Sequence, residues 1–146
     1  MVADATLAAQ LHCEEGRQFI KLRGERGLRN GSDAPIALVT AYVNATYGLL
    51  RPQLRALTES LASIAEKILN VRVNRIVQEL EPTVLDVDQA ARLLSPVGSP
   101  AMLVRRWYFL DNDDLLFSSR SIYPHGRLAF RTVLTRAKSV TEGVQH

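Results

Sequence analysis

The spacing of apolar residues changes several times along this chain, and each change predicts a new element. Residues 3–14 carry alanine and leucine at three- and four-residue steps up to Gly16, which predicts a short amphipathic helix. Residues 18–43 contain two strand-like runs separated by Asn30-Gly31, which is a strong turn signal. We therefore expect a β-hairpin after the first helix.

The middle of the chain returns to helical spacing. Between residues 44 and 69, leucine and isoleucine recur every three or four positions, which predicts two helices, or one helix broken near Arg51-Pro52 or Thr58-Glu59-Ser60. The next residues, 71–82, are strand-like again, and we expect Pro82 to end that strand. Asp86 is then the expected N-cap of a short helix.

Three more strands are expected near residues 101–110, 115–123 and 128–137, joined by the turns DNDD and PHGR. Strands that return through tight turns are antiparallel, and the helices stand between groups of strands, so the order predicts an α+β fold. We expect a single domain over residues 1–146, with an antiparallel β-sheet of about five to six strands and helices packed on it. The last residues, from Ser139 on, are expected to be frayed.

Composition narrows the class of protein. The 146 residues are 47% hydrophobic and 23% charged, which is typical of a folded domain with its own core. No apolar run reaches the ~20 residues that a membrane-spanning helix needs, and the start of the chain does not resemble a signal peptide. We therefore expect a cytoplasmic protein without a membrane partner. Cys13 is the only cysteine, which excludes an internal disulfide.

Basic residues are numerous but scattered. The formal net charge is +3, and of the 18 basic residues 15 are arginines, whose planar guanidinium suits recognition of carboxylate or phosphate. No run or helix concentrates these charges as a nucleic-acid-binding surface would. Direct binding of DNA by this chain is therefore not expected.

Motifs of catalysis and metal binding are mostly missing. The chain has no P-loop, no glycine-rich dinucleotide turn, no G-x-S-x-G elbow and no H-E-x-x-H. The three histidines do not have a spacing that suggests a shared metal, and the acids of residues 111–114 are interpreted as a solvated turn because the glycine of a calcium loop is missing. We expect neither a metal nor a cofactor.

One predicted strand carries unusual side chains. If residues 115–123 are extended, Phe117, Ser119, Ser121 and Tyr123 point to one face, because side chains alternate along a strand. Burying hydroxyls without partners costs ~1 to 3 kcal/mol each, so the face is either the wall of a polar pocket or simply exposed to solvent. The alternation alone does not choose between the two.

The strand before it raises a related question. Arg106 and Tyr108 share one side, whereas Arg105 and Trp107 share the other. One arginine must therefore lie on a partly buried face, which requires an anion or a partner carboxylate. Glu79 or Glu81 could pair with Arg106 in place of a ligand.

The same stretch carries a series of motifs in a fixed order. These are Arg106 and Tyr108, the acidic residues 111–114, Ser119 and Ser121, Pro124 to Arg127, and Leu134 to Arg136. The series resembles the end of the UTRA domain, the effector-binding domain of the HutC-like branch of GntR-type transcription regulators. Earlier stretches are similar to the family's first strands, helix and third strand, so the resemblance covers residues 8–138.

The resemblance implies a chorismate-lyase-like fold and a role in sensing a small polar or anionic metabolite. It also implies a homodimer, and contact with DNA only through a winged-helix domain that precedes such domains and that this chain does not include. Two arginines are expected to bind the ligand's charge, two serines to donate hydrogen bonds, and three tyrosines to wall the pocket. These ligand-binding candidates are Arg26, Arg106, Ser119, Ser121, Tyr42, Tyr108 and Tyr123.

Two departures and two alternatives stay open. Sugar-phosphate sensors of the family have an acid where this chain has Val39, and a Ser-Leu-Tyr helix start where it has Ser60-Leu61-Ala62. A sugar phosphate is therefore not implied. The alternatives to a regulator domain are an enzyme of the chorismate-lyase type, which shares the fold, and a free-standing metabolite-binding protein.

Overall fold

The fold is known from a computed structural model, which describes residues 1–27, 35–50, 66–67 and 70–137. Within these ranges the elements, in chain order, are helix α1 (Ala5–Leu11), strands β1 (Phe19–Arg26) and β2 (Ala37–Asn44), a 3-10 helix (Ala45–Leu50), strand β3 (Val73–Val84), helix α2 (Val87–Leu93), and strands β4 (Pro100–Leu110) and β5 (Leu115–Pro124).

The five strands form one sheet in the order β1-β2-β5-β4-β3, and every neighbouring pair is antiparallel. The expected α+β class is therefore confirmed, with β5 in the centre and β1 and β3 at the edges. The central position explains the sequence of β5, since a strand with neighbours on both sides is buried along most of its length.

Two short helices pack on the same face of the sheet, one at each end. Helix α1 buries Leu7 and Leu11 in a cluster with Trp107. Helix α2 buries Leu93 beside Leu103 of β4. Trp107 and Leu103 are separated by an even number of positions in β4. Their side chains therefore point to the same side of the sheet, which we call the helix face.

The expected cap of α2 is confirmed. The Asp86 side chain accepts from the Gln89 backbone amide at 2.8 Å, and the Gln89 side chain accepts from the Asp86 amide at 3.0 Å. This is a reciprocal capping box, which satisfies two amides that the helix itself cannot bond. The cap therefore fixes where α2 begins.

Two expectations about strands are wrong. Pro82 does not end β3, which continues to Val84 with Pro82 opposite Met102. An edge strand tolerates proline because the missing N–H can face solvent. Residues 128–137 are not a strand, because they pair with no strand among the described residues.

Other expectations fall outside the described residues. These are the turn at Asn30-Gly31, the helices expected over most of residues 51–69 and the frayed end after residue 138. The beginning of the helical stretch is described and is a 3-10 helix rather than an α-helix.

The capping box gives a test of the fold. We expect Asp86→Ala to lower the free energy of unfolding by about 1 kcal/mol, because the Gln89 amide loses the carboxylate that accepts its hydrogen bond. Urea denaturation measures the change. Asp111→Ala removes the same charge from an exposed turn and should change stability by less than half as much; equal losses would show that charge, not capping, is responsible.

Candidate functional site

The strand register sorts the seven predicted binding residues onto two faces. Arg26 lies opposite Ala37 in the pairing of β1 with β2, and Ser119 lies opposite Arg106 in the pairing of β5 with β4. Six of the seven share one side, which we call the serine face, and these are Arg26, Arg106, Tyr108, Ser119, Ser121 and Tyr123. Tyr42 lies on the helix face, opposite Ser118.

Smaller side chains occupy the middle of the serine face. Gly24, Val39, Ser121 and Val104 stand in one row across four strands, which we call the central row. A Cβ built on Gly24 would meet no described atom within 4 Å. Larger side chains stand around the central row, and these are Arg26, Arg106, Tyr108, Phe117 and Tyr123.

The serines differ in exposure. Ser121 is only 8% exposed, whereas Ser119 is half-buried. A hydrogen bond made by a buried or half-buried hydroxyl is stronger than one at an open surface, where water competes for it. Ser118, the serine of the helix face, already donates to the Arg106 carbonyl oxygen at 2.9 Å.

The two arginines of the serine face have weak or neutral partners. A guanidinium nitrogen of Arg26 donates to the Tyr123 hydroxyl at 3.4 Å, and Nε of Arg106 donates to Oε1 of Gln78 at 2.7 Å. The pairing of Arg106 with Glu79 or Glu81 that we considered from sequence is therefore wrong. Those two carboxylates lie on the helix face, 3.8 and 3.5 Å from the Arg105 guanidinium.

Aromatic contacts lie on both sides of the central row. The Tyr108 and Phe117 rings stack with centroids 4.0 Å apart. On the other side, Phe130 meets the edge of the Tyr123 ring at 5.7 Å. The segment after β5 is thereby placed next to the serine face, even though it pairs with no strand among the described residues.

The helix face carries a groove of about 670 Å³ between α1 and the strands of the sheet. Its floor is unusually basic, with Lys21, Arg23, Arg105 and Arg120 against the carboxylate of Glu79. Sequence reasoning missed this groove. The signal was the alternation of basic residues in β1, which shows a polar face but not what lies beside it.

Tyr42 belongs to this groove. The Lys21 ammonium stands 5.6 Å from the centroid of its ring. Because side chains alternate between the two faces along β2, Tyr42 cannot reach the serine face without a shift of register.

The acidic turn and Cys13 have structural surroundings. Asp114 accepts a hydrogen bond from the Tyr47 hydroxyl at 3.2 Å and pairs with Arg17 at 3.1 Å. Burial, and then the nearby Asp114 carboxylate, raise the pKa of Tyr47. Burial also raises the pKa of the Cys13 thiol, which makes it a poor nucleophile at neutral pH. Among the described residues, no group of three metal-ligating side chains comes together.

In the part of the chain that the structure describes, no helix has the length and apolar character needed to cross a membrane.

Comparison with known families and structures gives a consistent result. A family model described as the UTRA domain matches residues 1–129. No curated protein sequence matches the chain at a significant level.

Three solved structures have a similar fold. The ligand-binding domain of a putative GntR-family transcriptional regulator from Bordetella bronchiseptica is 19% identical, with a TM-score of 0.75 over 92% of this chain and 84% of that one. The effector domain of PhnF from Mycobacterium smegmatis is 24% identical, with a TM-score of 0.73 over 93% and 82% of the two chains. A second PhnF structure from that organism is 22% identical, with a TM-score of 0.73, and the match covers 94% of this chain and 59% of that one.

Proposed function

This chain belongs to the UTRA domain family, and we propose that it is the effector-sensing domain of a GntR-type transcription regulator of the HutC branch. The effector is a small polar or anionic metabolite that binds on the serine face. Its binding changes how an attached winged-helix domain contacts DNA. In this proposal the protein works in the cytoplasm and has no catalytic activity of its own.

One observation carries the proposal: charged, hydroxyl and aromatic groups surround the central row of smaller side chains on one face of the sheet. Apolar walls with a few convergent polar groups are typical of small-molecule sites. Phe117 and Tyr108 supply flat apolar walls. Ser119 and Ser121 supply hydroxyls in the middle.

Each polar group has a separate role in holding the effector. Arg106 uses Nε for Gln78, which leaves its two terminal nitrogens for a carboxylate or phosphate of the ligand. Arg26 is held only through a long bond to the Tyr123 hydroxyl. Ligand charge can therefore replace weak neutral contacts without breaking a salt bridge, which keeps the cost of binding low.

The expected regulatory mechanism is a shift between two arrangements of a homodimer. A ligand that binds one arrangement more tightly moves the equilibrium toward it, and coupling of this kind is typically worth about 1 to 3 kcal/mol. The longer PhnF chain, of which this chain covers 59%, supports the presence of a further domain in such regulators.

Exposed apolar side chains support the homodimer. Leu134 is 91% exposed and Val133 is 70% exposed in the segment after β5. Strand β3, which is an edge strand among the described residues, adds exposed Ile76, Leu80 and Val84. Apolar surface next to an unpaired strand edge favours association with another chain.

We expect Arg106→Gln to abolish or greatly weaken effector binding. A thermal-shift screen against a metabolite library identifies the effector, because a ligand at a hundred times its dissociation constant adds about 2.7 kcal/mol of stability. Loss of a charge-assisted hydrogen bond should then raise the dissociation constant about tenfold or more.

Arg105→Gln is the matched control for this change. It alters the same residue type, one position earlier on the same strand, but on the opposite face. Binding of the effector should be nearly unchanged in this variant. If both variants bind the effector as the original chain does, the serine face is not the effector site.

We expect Leu134→Arg to weaken the homodimer, because a charged side chain would have to be buried at the contact. Sedimentation velocity over a range of concentrations measures the dissociation constant. Val87→Arg, at a position 71% exposed on α2, is the control and should leave the dimer intact. A monomeric original chain at high concentration would contradict the proposal.

Catalysis of the chorismate-lyase type is tested directly. Incubation with chorismate should release neither 4-hydroxybenzoate nor pyruvate above the rate without protein. Turnover that is lost in Arg106→Gln would replace the sensing role by an enzymatic one.

A further inference from the structure

One row of side chains runs across the floor of the groove on the helix face. Register places Arg23 of β1, Thr40 of β2, Arg120 of β5 and Arg105 of β4 directly beside one another. Glu79 of β3 ends the row. Neighbouring strands lie about 4.8 Å apart, so three guanidinium groups share a strip only about 14 Å wide.

This arrangement is electrostatically unfavourable in the free protein. Arg105 and Arg120 are direct cross-strand partners, and like charges in that position repel each other. Glu79 and Glu81 offset the charge of Arg105 from the edge of the sheet. Neither Arg23 nor Arg120 makes an ion pair with a residue that the structure describes. The middle of the row therefore keeps an excess of positive charge.

Adjacent cations do not share this excess. Arg92 of α2 also lies near Arg23 and Arg120, but it pairs with Glu25 at 3.7 Å and with Asp88 at 4.0 Å. Arg92 therefore adds no unbalanced charge beside the groove.

The shape of the groove suits a small ligand. Its volume of about 670 Å³ lies within the roughly 300 to 1,000 Å³ typical of small-molecule sites. The Thr40 hydroxyl stands between Arg23 and Arg120 in the row, and Tyr42 with Lys21 stands in the next row. Hydroxyl and guanidinium donors therefore converge on one space from a rigid sheet.

We propose that this groove is a second ligand site, for a small molecule that carries two or more acidic groups, carboxylate or phosphate. Arg120 and Arg23 bind the acidic groups, and Arg105, which lies next to Arg120 in the row, adds a third positive charge. Forked guanidinium groups bind such oxyanions in a bidentate way, which a lysine cannot do. The site is separated from the serine face by the thickness of the sheet, so it does not depend on the function proposed above.

The test uses two multivalent anions, citrate and pyrophosphate, with the 146-residue chain. Isothermal titration at constant ionic strength measures binding, and acetate serves as the monovalent comparison. We expect citrate or pyrophosphate to bind with one-to-one stoichiometry and acetate not to bind detectably. Affinity should fall as salt is raised, because the groove is open to solvent.

Variants locate the site. Arg120→Gln should weaken binding about tenfold or more, since a charge-assisted contact is lost. Arg106→Gln removes the same charge on the serine face and should leave the affinity within twofold. Arg120 is exposed, and its removal relieves repulsion with Arg105, so the ligand-free melting temperature should stay equal to that of the original chain or rise.

Two results would overturn this proposal. Equal small losses in Arg120→Gln and Arg106→Gln would indicate unspecific attraction by the net positive charge. A loss in Arg106→Gln alone would place the anion on the serine face, which would leave the effector proposal standing and remove the second site.

Discussion

The hydrogen-bonded ladder between β4 and β5 is the constraint on which the rest of the molecule depends. Its register puts Arg106 opposite Ser119 and Arg105 opposite Arg120. Because side chains alternate, each strand contributes to both faces, and a slip of one residue would exchange them completely. Burial of Trp107 under α1 prevents that slip, because the slip would move the indole away from its packing partners and from the carbonyl of Gln10 that it donates to at 2.8 Å.

Local patterns were sufficient to predict the elements that depend on neighbouring residues. The alternation in β1, β2, β4 and β5 and the cap at Asp86 are properties of a few consecutive positions, and all of them are found in the structure. The strand expected at residues 128–137 has the same kind of alternation and yet is unpaired. Alternation is not enough, because a strand must also pair with a neighbour, and that pairing depends on how distant parts of the chain are arranged. Pro82 illustrates the same limit, since its effect depends on β3 being an edge strand.

The candidate site divides in a similar way. Alternation within one strand correctly groups Ser119, Ser121 and Tyr123, and it groups Arg106 with Tyr108. Whether two strands contribute to the same side depends on register, which the sequence does not specify at long range. Tyr42 was assigned to the pocket because its strand resembles the family's, but its parity places it on the opposite side. The basic row could not be predicted for the same reason, because its three arginines come from β1, β4 and β5, and β1 is far from the other two in the chain.

The two faces are physically connected even though their ligands would not meet. Arg105 and Arg106 are consecutive residues, as are Ser119 and Arg120, and both pairs belong to the same ladder. A ligand that draws Arg120 toward the groove acts on the backbone that positions Ser119. Any change that this makes in effector affinity must be matched by an equal change in anion affinity when the effector is bound, because linkage is reciprocal. If both proposed ligands bind, the sign of their coupling is set by whether they favour the same position of β5.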